Sequence, residues 1–167
     1  MTTGEHTVRL RPPSNRLSPK VVPWWRLQSL IAVTVVTAIL VVLGVLITPA
    51  RVWLLGPAAV IAVLGIAEAA ILPPWRYRIH RWEVTDEAVY VRSGAFWQEW
   101  RIAPMSRIQT VDTVRGPLER SFGLATVTVT TASSKGAIEI QGLEHELAAE
   151  LAERLTRLTQ ATPDDAT

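Results

Sequence analysis

Hydrophobic positions are concentrated in two long runs near the start of the chain. Residues 27–47 contain no charged side chain, and their few polar residues are glutamine, serine and threonine. At a rise of about 1.5 Å per residue, a helix of this length crosses a hydrocarbon core of about 30 Å. Residues 52–72 form a second apolar run. The pattern predicts a transmembrane hairpin over residues 24–74, with spans at 27–47 and 52–72.

The two runs are separated only by Thr48-Pro49-Ala50-Arg51, and Pro73-Pro74 is expected to end the second helix. A cleaved signal peptide also has a basic stretch before an apolar segment, but its apolar region is only about 7–15 residues long. Here the first run is longer and a second follows at once. We therefore expect an antiparallel pair of helices that both remain in the membrane.

Amphipathic and basic side chains flank the two spans. Indole rings and cationic side chains prefer the headgroup level of a bilayer. We therefore expect membrane-interface positions at Trp24, Trp25, Arg26, Trp53, Trp75, Arg76 and Arg78.

Lysine and arginine are unequally distributed around the spans. Five of them precede the first span and a cluster follows the second, whereas the connection carries Arg51 alone. Cytoplasmic flanks carry the excess of these residues. The distribution predicts a multi-pass protein of the cell membrane with both termini in the cytoplasm.

Glu68 is an ionisable residue inside the second span. Two interpretations stay open: the carboxylate reaches the headgroups or a residue such as Arg76, or it hydrogen-bonds a partner helix.

The two ends of the chain have the composition of disordered segments. Residues 1–23 carry prolines among polar and basic side chains without an apolar period, which predicts a disordered basic arm. This arm is either a solvated tail or an electrostatic contact with anionic lipids. Residues 161–167 are expected to form an acidic, disordered tail.

After residue 74 the apolar positions alternate with polar ones, as in strands with one buried face. Six strands with hairpin-length connections predict an antiparallel sheet, in which Trp100 and Ile102 are the apolar positions of one strand. Pro117 suits the first position of a helical turn and Gly123 the residue after its end. A leucine stripe from Leu143 to Leu158 predicts a final amphipathic helix. Residues 75–160 are therefore expected to form an α+β domain.

One stretch resembles a known family. The pattern Gly-Pro-Leu-x-Arg-x-x-Gly, with the order of elements around it, is similar to the membrane-anchored, YdbS-like members of the bacterial pleckstrin-homology-like family. The resemblance implies two orthogonal antiparallel sheets in a seven-stranded, partly open β-barrel or sandwich with one C-terminal α-helix, and it assigns the seventh strand. The motif residues are Gly116, Pro117, Leu118, Arg120 and Gly123.

The sequence offers no constellation typical of catalysis. Cysteine is absent, so no thiolate is available as nucleophile or metal ligand. The histidines His6, His80 and His145 lie far apart, without the spacing of a zinc site. There is also no phosphate-binding loop and no nucleophile elbow. We therefore predict a protein that is not an enzyme and that has no catalytic residue, metal or cofactor.

Charge separates the arm from the domain. The chain has a formal net charge of +2, 49% hydrophobic residues and 19% charged residues. Residues 75–160 contain equal numbers of basic and acidic side chains, so the excess of positive charge lies beside the membrane. This distribution indicates contact with the lipid bilayer and argues against nucleic acid.

A binding or scaffolding role remains. Trp97 with the nearby Arg92, Arg101 and Arg115 has the composition of a protein-binding hot spot. An alternative of equal weight is that Trp97 covers the barrel mouth or rests on the bilayer. The prediction is a membrane-tethered module that recruits a protein partner or forms a homo-oligomer. One alternative is an anionic-lipid-binding module, although the first hairpin turn, Asp86-Glu87, is acidic. Another is an accessory subunit of a membrane transporter or envelope enzyme.

Overall fold

The computed structural model describes residues 13–94, 97–132 and 136–161. The described chain begins with a two-residue strand, β1 (Asn15–Arg16), and two long helices, α1 (Val21–Leu46) and α2 (Arg51–Ile79). A single 3-10 turn over Thr48–Ala50 joins the helices, so they run antiparallel. Residues 1–12 of the predicted arm and 162–167 of the predicted tail lie outside the described residues.

The surfaces of α1 and α2 are apolar and exposed. Both helices are long and apolar enough to cross a membrane, and only 6% and 17% of their most apolar stretches are buried inside the protein. A core helix of a soluble protein would be mostly buried. Glycine allows close packing between the two helices, because a β-carbon at Gly65 would lie 2.7 Å from Cγ1 of Val33.

The second helix continues beyond the residues where the sequence predicts its end. Pro73 and Pro74 lie inside α2, so the prediction that they stop the helix is wrong. Proline has no N–H to donate to the carbonyl four residues earlier, so Pro74 deprives the Ala70 carbonyl of its usual partner. The guanidinium of Arg26 approaches this oxygen, with Nη2 3.5 Å away. The fixed φ of proline is compatible with a helix, and Pro73 is buried inside the protein.

Seven strands form two antiparallel sheets in the described chain. The first has the order β1-β2-β3-β4, with β2 at Arg81–Val84, β3 at Ala88–Ser93 and β4 at Glu99–Pro104. The second has the order β5-β6-β7, with β5 at Ile108–Val114, β6 at Leu124–Thr131 and β7 at Ile138–Glu144. Helix α3 (Pro117–Phe122) connects β5 to β6, and α4 (His145–Ala161) follows β7.

The two sheets do not close into a barrel, which corrects that part of the predicted fold; the antiparallel sheets and the C-terminal helix are confirmed. Across the described ranges no backbone strand pairing joins one sheet to the other. Pro104 ends β4 without an N–H to donate, and a 3-10 turn over Met105–Arg107 carries the chain to the second sheet. At the other margin a side chain bridges the gap, because Nη1 of Arg101 donates to the Ala137 carbonyl at 2.6 Å.

The segment before α1 is ordered, contrary to the predicted disordered arm, as far as it is described. Leu17 is buried, and the amide of Ser18 donates to the Gly142 carbonyl at 3.0 Å. Asn15 pairs with Trp82 across β1 and β2. With this strand the described chain has seven, as the family resemblance implied, but the seventh lies before α1 and outside residues 75–160, where the domain was predicted. It is too short to show alternation, and pairing with distant residues stabilises it.

One hydrophobic core lies between the two sheets, α4 and the first turn of α1. Leu151 and Leu155 of α4 are buried in it, whereas Leu147 of the predicted leucine stripe is 41% exposed. The largest fully buried side chains are Val21, Val89, Leu124, Val127, Val129, Ile140, Leu143 and Leu155.

Candidate functional site

The membrane hairpin and the sheet domain meet at a cluster of tryptophans. Trp24 and Trp25 are each only 7% exposed, and they belong to the same core as Trp82. Both were predicted to lie at the membrane interface, and their burial corrects this prediction. Helix α1 begins at Val21, well before the apolar run, so its first turn packs inside the domain instead of facing the headgroups.

A histidine and an arginine hold the end of α2 against this cluster. The His80 ring meets the Trp25 ring edge-on, with centroids 5.4 Å apart, and the Arg76 guanidinium lies 5.7 Å from the Trp25 ring centroid. His80 Nδ1 donates to the Arg76 carbonyl at 2.8 Å, since a carbonyl only accepts. Burial lowers the pKa of His80 below its ordinary 6.5; the hydrogen bond to the carbonyl opposes this effect and the Arg76 charge adds to it. The ring is therefore neutral at pH 7.

The other predicted membrane-interface residues are exposed around the transmembrane hairpin of α1 and α2. Trp53 is 82% exposed at the start of α2, and Trp75 is 39% exposed near its end. The exposed arginines of this group are Arg26, Arg76 and Arg78. Their placement is compatible with contact to headgroups, which stays a prediction.

Glu68 is exposed on α2, within one turn of the Ala70 carbonyl that Arg26 approaches. The carboxylate is therefore near the level of Arg26 along the hairpin, and both interpretations of its role stay predictions.

A polar cavity of about 440 Å³ lies between the end of α2 and the two sheets. Its walls include Arg76 and His80 from the end of α2, Gly94 and Glu99 from the β3–β4 hairpin, and Glu139 from β7. Basic and acidic side chains are balanced on these walls. The cavity therefore has no excess charge with which to select an anion. Its lining shows, however, that the base of the β3–β4 hairpin lies beside the end of α2.

The four residues predicted to bind a partner do not share one surface. Arg92 and Trp97 belong to the β3–β4 hairpin, where Trp97 is 88% exposed. Arg101 faces the opposite side of the sheet from Arg92, because its cross-strand neighbour is the buried Val91. Arg115 lies before α3, and its Nε donates to a backbone carbonyl of β6 at 3.1 Å. Arg101 and Arg115 both support the fold through hydrogen bonds to backbone carbonyls.

An exposed aromatic surface lies on the first sheet, and we call its residues Tyr90, Arg92, Trp100 and Ile102 the outer face. Arg92 pairs with Trp100 and Tyr90 pairs with Ile102, so all four side chains share one side. Trp100 is 38% and Ile102 44% exposed. The Arg92 guanidinium lies 5.3 Å from the Trp100 ring centroid and donates to Gln98 Oε1 at 2.9 Å.

Sequence reasoning missed this surface because of the alternation in β4. Trp100 and Ile102 are the apolar positions of that strand, yet the side chains that point inward are those of Arg101 and Ala103. Strand register decides the face. Strand β3 carries the signal that could have revealed this surface. Val91 of β3 is buried, so its two neighbours along the strand point outward. The residues opposite those neighbours on β4 must then point outward as well.

The family motif builds a capped helical turn. Pro117 is the first residue of α3, and Gly123 ends the helix with a left-handed φ of 68°, which confirms both predicted positions. Leu118 packs against the core, while Arg120 is exposed. Gly116 precedes the helix as its N-cap.

Glu119 is the buried residue of this motif, at a position for which the sequence pattern indicated no role. It is only 7% exposed. Its Oε2 accepts from the Gly116 amide at 2.6 Å, and its Oε1 accepts from Thr126 Oγ1 at 2.7 Å. The carboxylate thus links the start of α3 to β6, so its role is structural.

Within the described ranges, no group of three or more histidine, cysteine, aspartate or glutamate side chains is placed to hold a metal ion. His80 and His145 lie on different elements, and His6 lies outside the described residues.

The structure defines a class of protein: a two-helix membrane anchor that is fused, through a shared core, to a small two-sheet domain closed by a C-terminal helix. The family model described as Bacterial PH domain matches residues 26–159. UPF0699 transmembrane protein YdbS of Bacillus subtilis (strain 168) is 35% identical over 156 residues, which cover 92% of this chain and 97% of that protein. The chain therefore belongs to the bacterial PH domain family, and it is a membrane protein. No solved structure gives a significant match.

Proposed function

We propose that the chain is a non-catalytic module that recruits a protein partner to the cytoplasmic face of the cell membrane. Family membership and the two apolar helices support the membrane tether. The core shared by α1 and the sheets supports a rigid tether, because the first turn of the helix is buried in the domain. A rigid tether presents a surface of the domain at a fixed height above the bilayer.

The orientation rests on the positive-inside rule. The segment before α1 and the segment after α2 meet in one sheet, since β1 pairs with β2, so both lie on the same side of the membrane. Arginines cluster on this side, while Arg51 lies at the opposite turn. We therefore assign the domain and both termini to the cytoplasm.

The observation that carries the proposed recruitment is the outer face. An arginine stacked on a half-exposed tryptophan, with an exposed isoleucine and a tyrosine beside them, is the combination that dominates binding energy in protein interfaces. The face is part of a regular sheet, so its side chains are held in place before a partner arrives and lose little entropy on binding.

Headgroup recognition at the β2–β3 turn has less support. Asp86 in this turn is acidic, and its Oδ1 lies 3.4 Å from Nη2 of Arg154 on α4. Arg154 is therefore paired with a carboxylate of the protein itself instead of with a lipid headgroup. The exposed Arg76 and Arg78 at the end of α2 suit general attraction to anionic lipids, which would assist the tether.

The test is site-specific photo-crosslinking of the full-length protein in native membranes. A photo-reactive phenylalanine analogue replaces Ile102 on the outer face, and in a control protein it replaces Val114, which is 54% exposed on β5 of the other sheet. We expect one recurrent protein adduct at position 102 that is absent at position 114 and is lost when Trp100→Ser is added. An adduct with a second copy of the chain would identify the partner as the protein itself.

The same adducts at both positions, or none at position 102, would contradict the role of the outer face. Recovery of a transporter or envelope enzyme at position 102 would place the chain as an accessory subunit of that complex.

A further inference from the structure

The path of the chain places the β3–β4 hairpin at the membrane end of the domain. β2 starts at Arg81, just after the end of α2, and leads away from the helices. β3 returns antiparallel to it, so that Arg92 near its end lies opposite Arg81. The described ends of the connection to β4, Gly94 and Trp97-Gln98, therefore lie on the side of the domain from which α2 enters.

The polar cavity supports this placement independently. Arg76 on α2 shares the cavity with Ser93, Gly94 and Glu99, which form the base of the hairpin. Arg76 comes four residues after the apolar run ends at Leu72, or about 6 Å along a helix. The base of the hairpin is thus level with the headgroup region that adjoins the hydrocarbon core.

Trp97 projects from this hairpin with nearly all of its surface exposed. Its exposed fraction of 88% compares with 82% for Trp53, which lies at the opposite end of the transmembrane hairpin. Gly94 approaches Trp97 closely: its φ is +102°, and a β-carbon there would lie 2.9 Å from the Trp97 carbonyl carbon. An indole this exposed to solvent among the described residues is well suited to the interfacial layer of a bilayer.

We infer that Trp97, next to the base of the β3–β4 hairpin, is a third membrane attachment and inserts among the headgroups of the bilayer that α1 and α2 span. With the two helices, this contact makes three points and sets the tilt of the domain. The outer face, which begins at Trp100 beside the hairpin, is then presented at a fixed angle to the membrane. This membrane contact requires no protein partner.

The absence of cysteine from the chain allows a direct test. Trp97→Cys carries an environment-sensitive fluorophore in full-length protein, reconstituted one copy per nanodisc with phosphatidylglycerol and phosphatidylcholine. The control is Glu87→Cys with the same label, in the exposed β2–β3 turn at the other end of the sheet. The two readouts are quenching by lipids that carry a nitroxide near the headgroup and quenching by water-soluble iodide.

We expect the label at position 97 to lose fluorescence to the lipid nitroxide and to be protected from iodide, while the label at position 87 behaves in the opposite way. Iodide quenching at position 97 equal to that at position 87 would overturn the inference, because the hairpin would then stand in water. Protection from both quenchers would also overturn it, because protein and not lipid would then cover Trp97.

Discussion

Gly142 of β7 packs directly against Val21 in the first turn of α1. A β-carbon at Gly142 would lie 2.9 Å from Cβ of Val21, which is too close for two carbon atoms. The φ of Gly142 is +68°, a conformation that glycine adopts readily and other residues avoid. The transmembrane hairpin is therefore joined to the sheet domain by close packing of the Val21 side chain against the backbone of β7 at Gly142.

Gly142→Ala is expected to destabilise the protein more than Gly123→Ala. Both glycines have a φ of +68°, so both substitutions incur the same left-handed strain of about 1–2 kcal/mol. Nothing lies within 4 Å of a β-carbon at Gly123, whereas Gly142 faces Val21. The difference in unfolding free energy, measured by thermal unfolding of the full-length protein in mild detergent, reports this packing. Equal losses would show that the contact contributes nothing.

Glu119 and Thr126 are expected to be energetically coupled. Glu119→Ala leaves the Gly116 amide and the Thr126 hydroxyl without their acceptor, and should lower the unfolding free energy by about 1–3 kcal/mol. In a Thr126→Val background the same substitution should cost less, because no hydroxyl is then left unsatisfied. Urea unfolding of the two single variants and the double variant measures the coupling. Strictly additive losses would contradict the hydrogen bond.

Much of the fold follows from local patterns in the sequence. The helices α1 and α2 follow from long apolar runs, and α3 follows from Pro117 and Gly123, whose backbone preferences are intrinsic to the residues. Strands β2, β3 and β6 follow from alternation. In each case a few neighbouring residues contain the signal, and tertiary contacts only reinforce it.

The features that sequence reasoning missed depend on distant contacts. β1 consists of two residues that are ordered by pairing with β2. Trp24 and Trp25 have the composition of an interfacial belt, and only the docking of α1 into the sheets buries them. Trp100 is apolar yet points outward because the hairpin register sets its face. A tryptophan is equally suited to a core, a headgroup layer or a protein interface.

The close contact between the two transmembrane helices at Gly65 is expected to be sensitive to substitution. Gly65→Ala places a β-carbon against Val33 and should destabilise the hairpin. Gly56→Ala is the matched control on the same helix, since nothing lies within 4 Å of its β-carbon. That variant should be neutral or stabilising, because alanine favours a helix by about 1 kcal/mol over glycine. Loss of helical circular dichroism during titration with sodium dodecyl sulfate compares the two, and a control as unstable as Gly65→Ala would refute the contact.

His80 is expected to make the junction between α2 and the domain sensitive to acid. Burial lowers the pKa of His80 in the folded protein, so below its ordinary value of 6.5 the unfolded chain binds more protons than the folded one. The free energy of unfolding therefore falls as the pH falls through the ordinary value towards the lowered folded pKa, and the contribution is fully present above the ordinary value.

Thermal unfolding of the full-length protein in detergent, between about pH 7.5 and 5.5, measures this dependence. His80→Gln should flatten the pH profile, because glutamine does not titrate. His145→Gln, on the exposed start of α4, should leave the profile of the unmodified protein unchanged. Carboxylates such as Glu99 and Glu139 share the cavity with His80, and any acid response they cause would persist in His80→Gln. A profile that His80→Gln leaves as steep as before would contradict the prediction, because the imidazole would then titrate alike in the folded and unfolded chains.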